Sequence, residues 1–397
     1  MRFVISSAYT FLVLVSAAPA LPAAEITTLD GKKYSGDLVR IDEAAVVVKT
    51  GSGEESTPVP RMLVVETGAT FGKPPDKFID VELVDGSLLH CKQLTLRGKQ
   101  VELVILPEKK LTLPMEKVLY ILVDAQDQKT QKEWQEILAD KGKRDRFYVR
   151  KDDRLDGLDG TFGDADADGK FITFQVASNN TTRKLPIDKL QALLFNNRLE
   201  GNIAPRVCKV VDTFQNQFVA TKVVLKGQTL SVLTVAGISV EFASLNPIAK
   251  LDYSQDKIVF LSDLRPKEEG STEDLIVQWR RDQNLDNQPI QLEGTAYAKG
   301  LVLHPSLTLV YDINGDYKEF KAVLGVDPNV QTPSDVQLTF EGDGRKLFET
   351  EVKRGDKPMP IVLDVKKIKQ LKITVVTASG LFDYGNQVTL ADAKVSK

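Results

Sequence analysis

The chain has 397 residues, 52 of them Lys or Arg against 55 Asp or Glu, a formal net charge of −3, and only two cysteines and two histidines. Nearly balanced charge with no clustered basic surface argues against nucleic acid as a partner, because phosphate neutralisation needs many cations on one face. Nothing in the chain reaches the twenty or so consecutive apolar residues of a spanning helix, so no membrane span is expected.

Residues 1–24 combine one basic residue, Arg2, with an apolar run from Tyr9 to Val15 and the small residues Ala18, Ala20, Ala23 and Ala24. This is the pattern of a secretory signal peptide. An exported protein, periplasmic or extracellular, is therefore expected.

Residues 25–255 repeat one small β-unit. The copies begin near Ile26, Val81, Phe147 and Cys208 and span residues 25–70, 78–124, 146–200 and 205–255. Each holds four or five short runs of alternating β-branched residues, separated by turns such as Asp30-Gly31, Asp85-Gly86, Arg97-Gly98 and Lys226-Gly227. Period-two alternation is the mark of a half-buried strand, and glycine supplies the positive φ that a tight hairpin turn requires. A unit this small has little core of its own. The expectation is thus four tandem barrels, similar in architecture to Sm-like barrels, that hide their edge strands. Cys91 and Cys208 fall within apolar runs of different copies and read as small buried side chains, with pairing left open.

One helix is expected at 125–145, where Trp134, Ile137 and Leu138 share a face, and it should bridge the second and third copies with Trp134 as its anchor. Asp164, Asp166, Asp168 and Gly169 have the spacing of a calcium loop. However, Gln175 stands where the closing glutamate belongs, and the segment coincides with a hairpin turn of the other copies. A turn is the reading; no cofactor is expected, with weak calcium binding as the alternative.

The last third contains Tyr297, Lys299-Gly300, Leu301 to His304-Pro305-Ser306, Leu309 to Asp312, Phe320 to Asp327, Glu341 to Gly344 and Ala391-Asp392-Ala393. In this order these motifs resemble the NPCBM family of carbohydrate-binding modules, over roughly residues 257–397. The resemblance implies a jelly-roll β-sandwich at 256–397, similar to galactose-binding-like domains, and a glycan as ligand. The fold class is accordingly all-β throughout.

The residues expected to meet a sugar are Tyr297, Lys299 and His304, together with Phe382, Asp383, Tyr384 and Asn386. The last four supply aromatic faces and fixed polar groups on one turn. His304 can equally be a satisfied histidine at a strand end. The family pattern before the final Ala-Asp-Ala resembles Asp-His-Ala-Asp-Trp, whereas residues 386–390 read Asn-Gln-Val-Thr-Leu. This departure removes carboxylates that could hold a metal and an aromatic that could face a ligand. Neither histidine has a nucleophile motif beside it and the carboxylates are scattered, so no catalytic constellation is visible and no enzyme is expected. Non-catalytic glycan binding is the first functional expectation. The second is an envelope scaffold with protein partners, its sandwich having lost the sugar site.

Overall fold

A computed structural model describes residues 23–139, 142–255, 257–269, 279–329, 335–378 and 386–397. Almost all of the expected signal segment, and Phe382, Asp383 and Tyr384, lie outside the described residues. The chain divides into two compact units, Met1–Gln255 and Asp256–Lys397. Both are built of antiparallel strands.

In the N-terminal unit the four copies share one strand order. Copy one runs Gly53–Pro58, Ala45–Thr50, Lys33–Ile41, Ala24–Thr28, Met62–Glu66 across its sheet. Copy two runs Lys109–Pro114, Gln100–Ile105, Leu88–Arg97, Ile79–Leu83, Val118–Leu122. Copy three follows with Thr182–Pro186, Phe171–Val176, Arg154–Ala165, Asp145–Lys151, Ala192–Leu194. Copy four has Ser239–Phe242, Thr229–Thr234, Gln217–Lys226, Cys208–Asp212, Ile248–Asp252. In every copy the pairing of the second and third strands shifts register once, at Leu38/Arg40, Cys91/Gln93, Phe162/Ala165 and Ala220/Lys222. A bulge at that point bends the long second strand and lets the short sheet curl over its core.

The expected set of separate Sm-like barrels is corrected by the pairing. The fifth strands pair with one another, Met62–Glu66 with Ile248–Asp252 and Val118–Leu122 with Ala192–Leu194, and the whole unit is one network of 20 strands. The physical reason lies in the fifth strands. Val118, Tyr120, Ile121 and Leu122 are all buried, as are Ala192, Leu193 and Leu194. A strand apolar on both faces cannot be covered by a copy of about fifty residues alone, so two copies share the burden and each removes the other's open edge. One apolar cluster consequently runs through all four copies, including Ile26, Val65, Val81, Ile121, Phe174, Leu193, Val210 and Leu251.

The helix spans Gln128–Ala139. Trp134 is fully buried, with edge-on ring contacts to Tyr120 at 5.3 Å and Tyr148 at 5.4 Å, residues contributed by copies two and three. At the calcium-like turn Asp166 accepts the backbone N–H of Lys170 at 2.7 Å and of Phe171 at 3.1 Å. These bonds hold its carboxyl below the usual carboxylate range. Among the described residues no group of three or more His, Cys, Asp or Glu side chains is placed to hold a metal. Cys91 and Cys208 are both buried thiols.

The C-terminal unit is a two-sheet sandwich. One sheet runs Lys267–Glu269, Leu307–Asp312, Gln370–Thr377, Asp335–Gly342, Arg345–Lys353. The other runs Arg280–Arg281, Gly300–Leu303, Val388–Ser396, Glu319–Gly325, Met359–Asp364, with Ile258–Phe260 beside the end of Val388–Ser396. Strand Asp335–Gly342 alternates strictly, with Val336, Leu338 and Phe340 pointing inward. Phe340 meets Phe320 of the facing sheet at 5.2 Å between ring centroids. The strand turns at Asp343 (φ 48°) and Gly344 (φ 79°), a two-residue turn with positive φ at both positions that suits the twist of a hairpin. Replacing Phe340 by Ala should cost about 3–5 kcal/mol, since the inter-sheet gap closes only in part around the missing ring. Denaturant melts measure this; a loss below about 1 kcal/mol would contradict the inward placement of Phe340.

Candidate functional site at one end of the sandwich

The strand register brings several loops to one end of the sandwich. Leu303 is opposite Val388, Gly325 is opposite Thr389, and Arg280 is opposite Val302. The chain therefore presents His304, Asn386 and Gln387, the residues after Gly325, and Trp279 at a common edge. Of the residues expected from the sequence, His304 and Asn386 meet here. Lys299 and Tyr297 do not. Lys299 lies beyond the far end of strand Gly300–Leu303, five residues from His304, or about 16 Å at the rise of an extended strand.

His304 is 6% exposed and its Nδ1 lies 3.1 Å from the carbonyl oxygen of Asn386. A nitrogen facing a carbonyl must carry the proton, so Nδ1 donates and Nε2 is left as an acceptor. Nε2 is out of solvent and has no partner among the described residues. Burial lowers the pKa of this imidazole, the Asn386 carbonyl opposing in part. Asn386 is itself 3% exposed, and its Oδ1 accepts the N–H of Asp335 from the other sheet at 3.1 Å. Both side chains thus tie Asn386, just ahead of strand Val388–Ser396, to the two sheets.

Lys299 is an ion-pair centre, with Nζ 2.5 Å from Asp263 and 3.0 Å from Asp282. Asp282 also accepts the N–H of Gly300 at 3.0 Å, and the carbonyl of Lys299 accepts the N–H of Asp392 at 2.8 Å. Tyr297 belongs to the ribbon Ile290–Leu292 with Thr295–Tyr297, which packs on the outer face of the sheet over Val302 and Ala391. Glycine is required beneath it: a Cβ on Gly300 would lie 2.9 Å from Ile290 Cδ1 and 2.8 Å from the Leu390 carbonyl oxygen.

The loop leading into that ribbon supplies polar groups that reasoning from the sequence missed. Asn284 and Asp327 are each 5% exposed and bonded to each other, Nδ2 to Oδ2, at 3.0 Å. The Asn284 Oδ1 accepts the N–H groups of Asp286 and Gln288, and Asp327 Oδ1 accepts the N–H of Asn329. Every heavy polar atom of this pair is therefore fixed. Around it Asn284, Leu285, Asp286, Asp327, Asn329 and Gln387 line a cavity of about 140 Å³. Trp279, half-buried, donates its indole N–H to Glu268 at 2.7 Å, and the Arg281 guanidinium lies 4.8 Å from its ring centroid. The arrangement is a small, rigid, polar recess next to the fixed backbone at Asn386. It can present fixed donors and acceptors to a hydroxylated ligand, and it has no nucleophile with an adjacent base among the described residues.

The C-terminal unit is thus an antiparallel two-sheet sandwich with a polar recess among its loops. Residues 257–396 match the family model of the NPCBM/NEW2 domain, and this part of the chain is an NPCBM domain. Among curated proteins, the "Putative endo-alpha-N-acetylgalactosaminidase" of Renibacterium salmoninarum is 26% identical over 117 residues. The match takes in 28% of this chain and 8% of that protein, so the chain spans only a small fraction of this relative's length. Among solved structures, the CBM51 of Clostridium perfringens GH95 in complex with methyl-galactose is 21% identical, with a TM-score of 0.32, covering 35% of this chain and 99% of that one. The tandem CBM51 modules of the family 98 glycoside hydrolase Sp3GH98 from Streptococcus pneumoniae are 12% identical, with a TM-score of 0.31, covering 94% and 87%.

The lowered pKa of His304 predicts the sign of a pH effect. The unfolded chain takes up the proton first as pH falls, so stability is full above about pH 6.5 and declines through and below that value until the folded imidazole also titrates, with a slope of up to about 1.4 kcal/mol per pH unit. In a Trp134→Phe background Trp279 is the remaining indole, because the chain has two tryptophans. Its fluorescence in denaturant at pH 7.5 and 5.5 should show this decline, and His304→Gln should remove it. An unchanged slope in the variant would contradict the assignment.

Proposed function

We propose that the NPCBM domain binds glycans without transforming them, in a protein exported by the segment at residues 1–24. The family of residues 257–396 is one of carbohydrate-binding modules, and the observation that carries the reading to a place is the buried, fully bonded Asn284–Asp327 pair at the floor of the polar cavity. Sugar hydroxyls are recognised by donors and acceptors whose directions are set in advance, because side chains that must be ordered on binding lose part of the gain as entropy. Asp286 and Asn329 at the rim are placed to face the ligand, with Gln387 beside them. We assign to Phe382 and Tyr384, a few residues before Asn386 in sequence, the apolar face that stacks on a sugar ring, and to Asp383 a polar contact. His304 and Asn386 act by fixing the backbone at Asn386, and Lys299 with Tyr297 by supporting the sheet edge and ribbon. No cofactor enters this reading.

The scaffold reading keeps one specific support: the side chains of His304 and Asn386 are engaged within the protein. Titration calorimetry of the full chain against galactose-containing and other oligosaccharides separates the two. A shallow recess should give dissociation constants of about micromolar to millimolar. The double variant Asp286→Ala, Asn329→Ala should lose binding at unchanged melting temperature, because both side chains are exposed. No heat from any oligosaccharide at millimolar concentration would favour the scaffold.

A further inference from the structure

The N-terminal unit ends in two open sheet edges of opposite charge. Its copies are joined in the order one, four, two, three. Fifth strands connect one to four and two to three, and the bridge between Gln217 and Leu88 connects four to two. Near that central junction the fourth strands of copies two and four already meet: Lys109 donates to the carbonyl of Glu241 and lies 5.2 Å from the ring centroid of Phe242. Among the described residues the fourth strands of the terminal copies have no such neighbour. Among the described residues Gly53–Pro58 pairs only with Ala45–Thr50, and Thr182–Pro186 only with Phe171–Val176.

These two edges read Gly-Glu-Glu-Ser-Thr-Pro and Thr-Arg-Lys-Leu-Pro. On the first, Glu54 and Ser56 are exposed on one face, while Glu55 shares the other face with buried Thr57. On the second, Thr182 and Lys184 are the outward residues, while Arg183 and Leu185 lie opposite the buried Phe174 and Ile172. If the edges meet antiparallel with Glu54 opposite Lys184, Glu55 falls opposite Arg183 and Ser56 opposite Thr182. Both charge pairs are then satisfied in one register, with outward residues facing outward ones. A one-residue slip would break that match of faces, and a two-residue slip would lose the charge pairs. Glu55 also takes the ammonium of Lys32 within its own copy, and in this register it is shared.

Charged edge strands ordinarily prevent edge-to-edge association, because like edges repel. Here the two edges carry opposite signs, so each rejects its own kind and accepts the other. We propose that edge Gly53–Pro58 of one molecule adds as a strand to edge Thr182–Pro186 of a second copy of this chain. The contact is heterologous, leaving each pair of molecules with one free edge of each sign. Growth therefore continues head to tail unless the rotation closes a ring.

Sedimentation of the full chain tests this directly. At about 0.01 M salt the weight-average mass should rise with concentration by at least about twofold, the dimer being the first product of head-to-tail growth. At about 1 M salt, where the screening length shrinks to roughly 3 Å, it should return to the monomer. A first variant, Glu54→Lys with Ser56→Lys, presents two basic edges; a second, Thr182→Glu with Lys184→Glu, presents two acidic ones. Each alone should stay monomeric at the low-salt concentration that associates the wild type, and mixing the two should restore association. All four substituted positions are exposed, so melting temperatures should be unchanged. A wild-type chain that is monomeric throughout, variants that associate as strongly as the wild type, or a mixture that stays monomeric would each overturn the proposal.

Discussion

The constraint on which the N-terminal unit depends is the cost of an open strand edge. Copies two and three are each too short to bury a fifth strand that is apolar on both faces, and unpaired backbone groups along such a strand would meet neither water nor partner. Pairing fifth strand with fifth strand removes both problems together. Fifth strands are joined two at a time, Met62–Glu66 with Ile248–Asp252 and Val118–Leu122 with Ala192–Leu194. What then remains open are fourth strands, short and mostly polar, which can stand in water or accept a charged neighbour.

The sandwich solves a related problem differently. It covers its outer face with the ribbon around Ile290 and Tyr297, and the close approach relies on the bare backbone of Gly300 and Gly325. The same ribbon brings Asn284 across to Asp327, so that the polar recess is a by-product of how the sheet is covered. Because these polar atoms are bonded before any ligand arrives, the recess is organised in advance. A module with modest affinity at one such site gains from repetition, and head-to-tail association of the N-terminal units would supply it through effective concentration.

Much of this was legible in the sequence where the signal is local. The copies announce themselves through Asp-Gly and Lys-Gly turns between alternating runs, and the hairpin Asp335–Gly342 with Arg345–Lys353 through Asp343-Gly344. Trp134 reads as an anchor because its helix has one apolar face. What was not legible is partner choice. The run Val118-Leu-Tyr-Ile121 looks the same whether it closes its own sheet or pairs with Leu193, so separate barrels were expected where one network exists. The site was legible only in part. His304 stands out as a polar group ending an apolar strand, but its grouping with Lys299 ignored that a strand's length separates them. The contact of Asn284 with Asp327 spans 43 residues and leaves no periodic trace; the polar run from Asn284 to Gln288 was its only local sign.

The proposed sugar site is the recess floored by Asn284 and Asp327. Crystals of the full chain soaked with a galactose-containing oligosaccharide that gives heat in solution would test it most directly. The expected result is a sugar ring with its hydroxyls within hydrogen-bonding distance of Asp286, Asn329 or Gln387. A sugar bound elsewhere on the chain, with this recess holding only water, would contradict it.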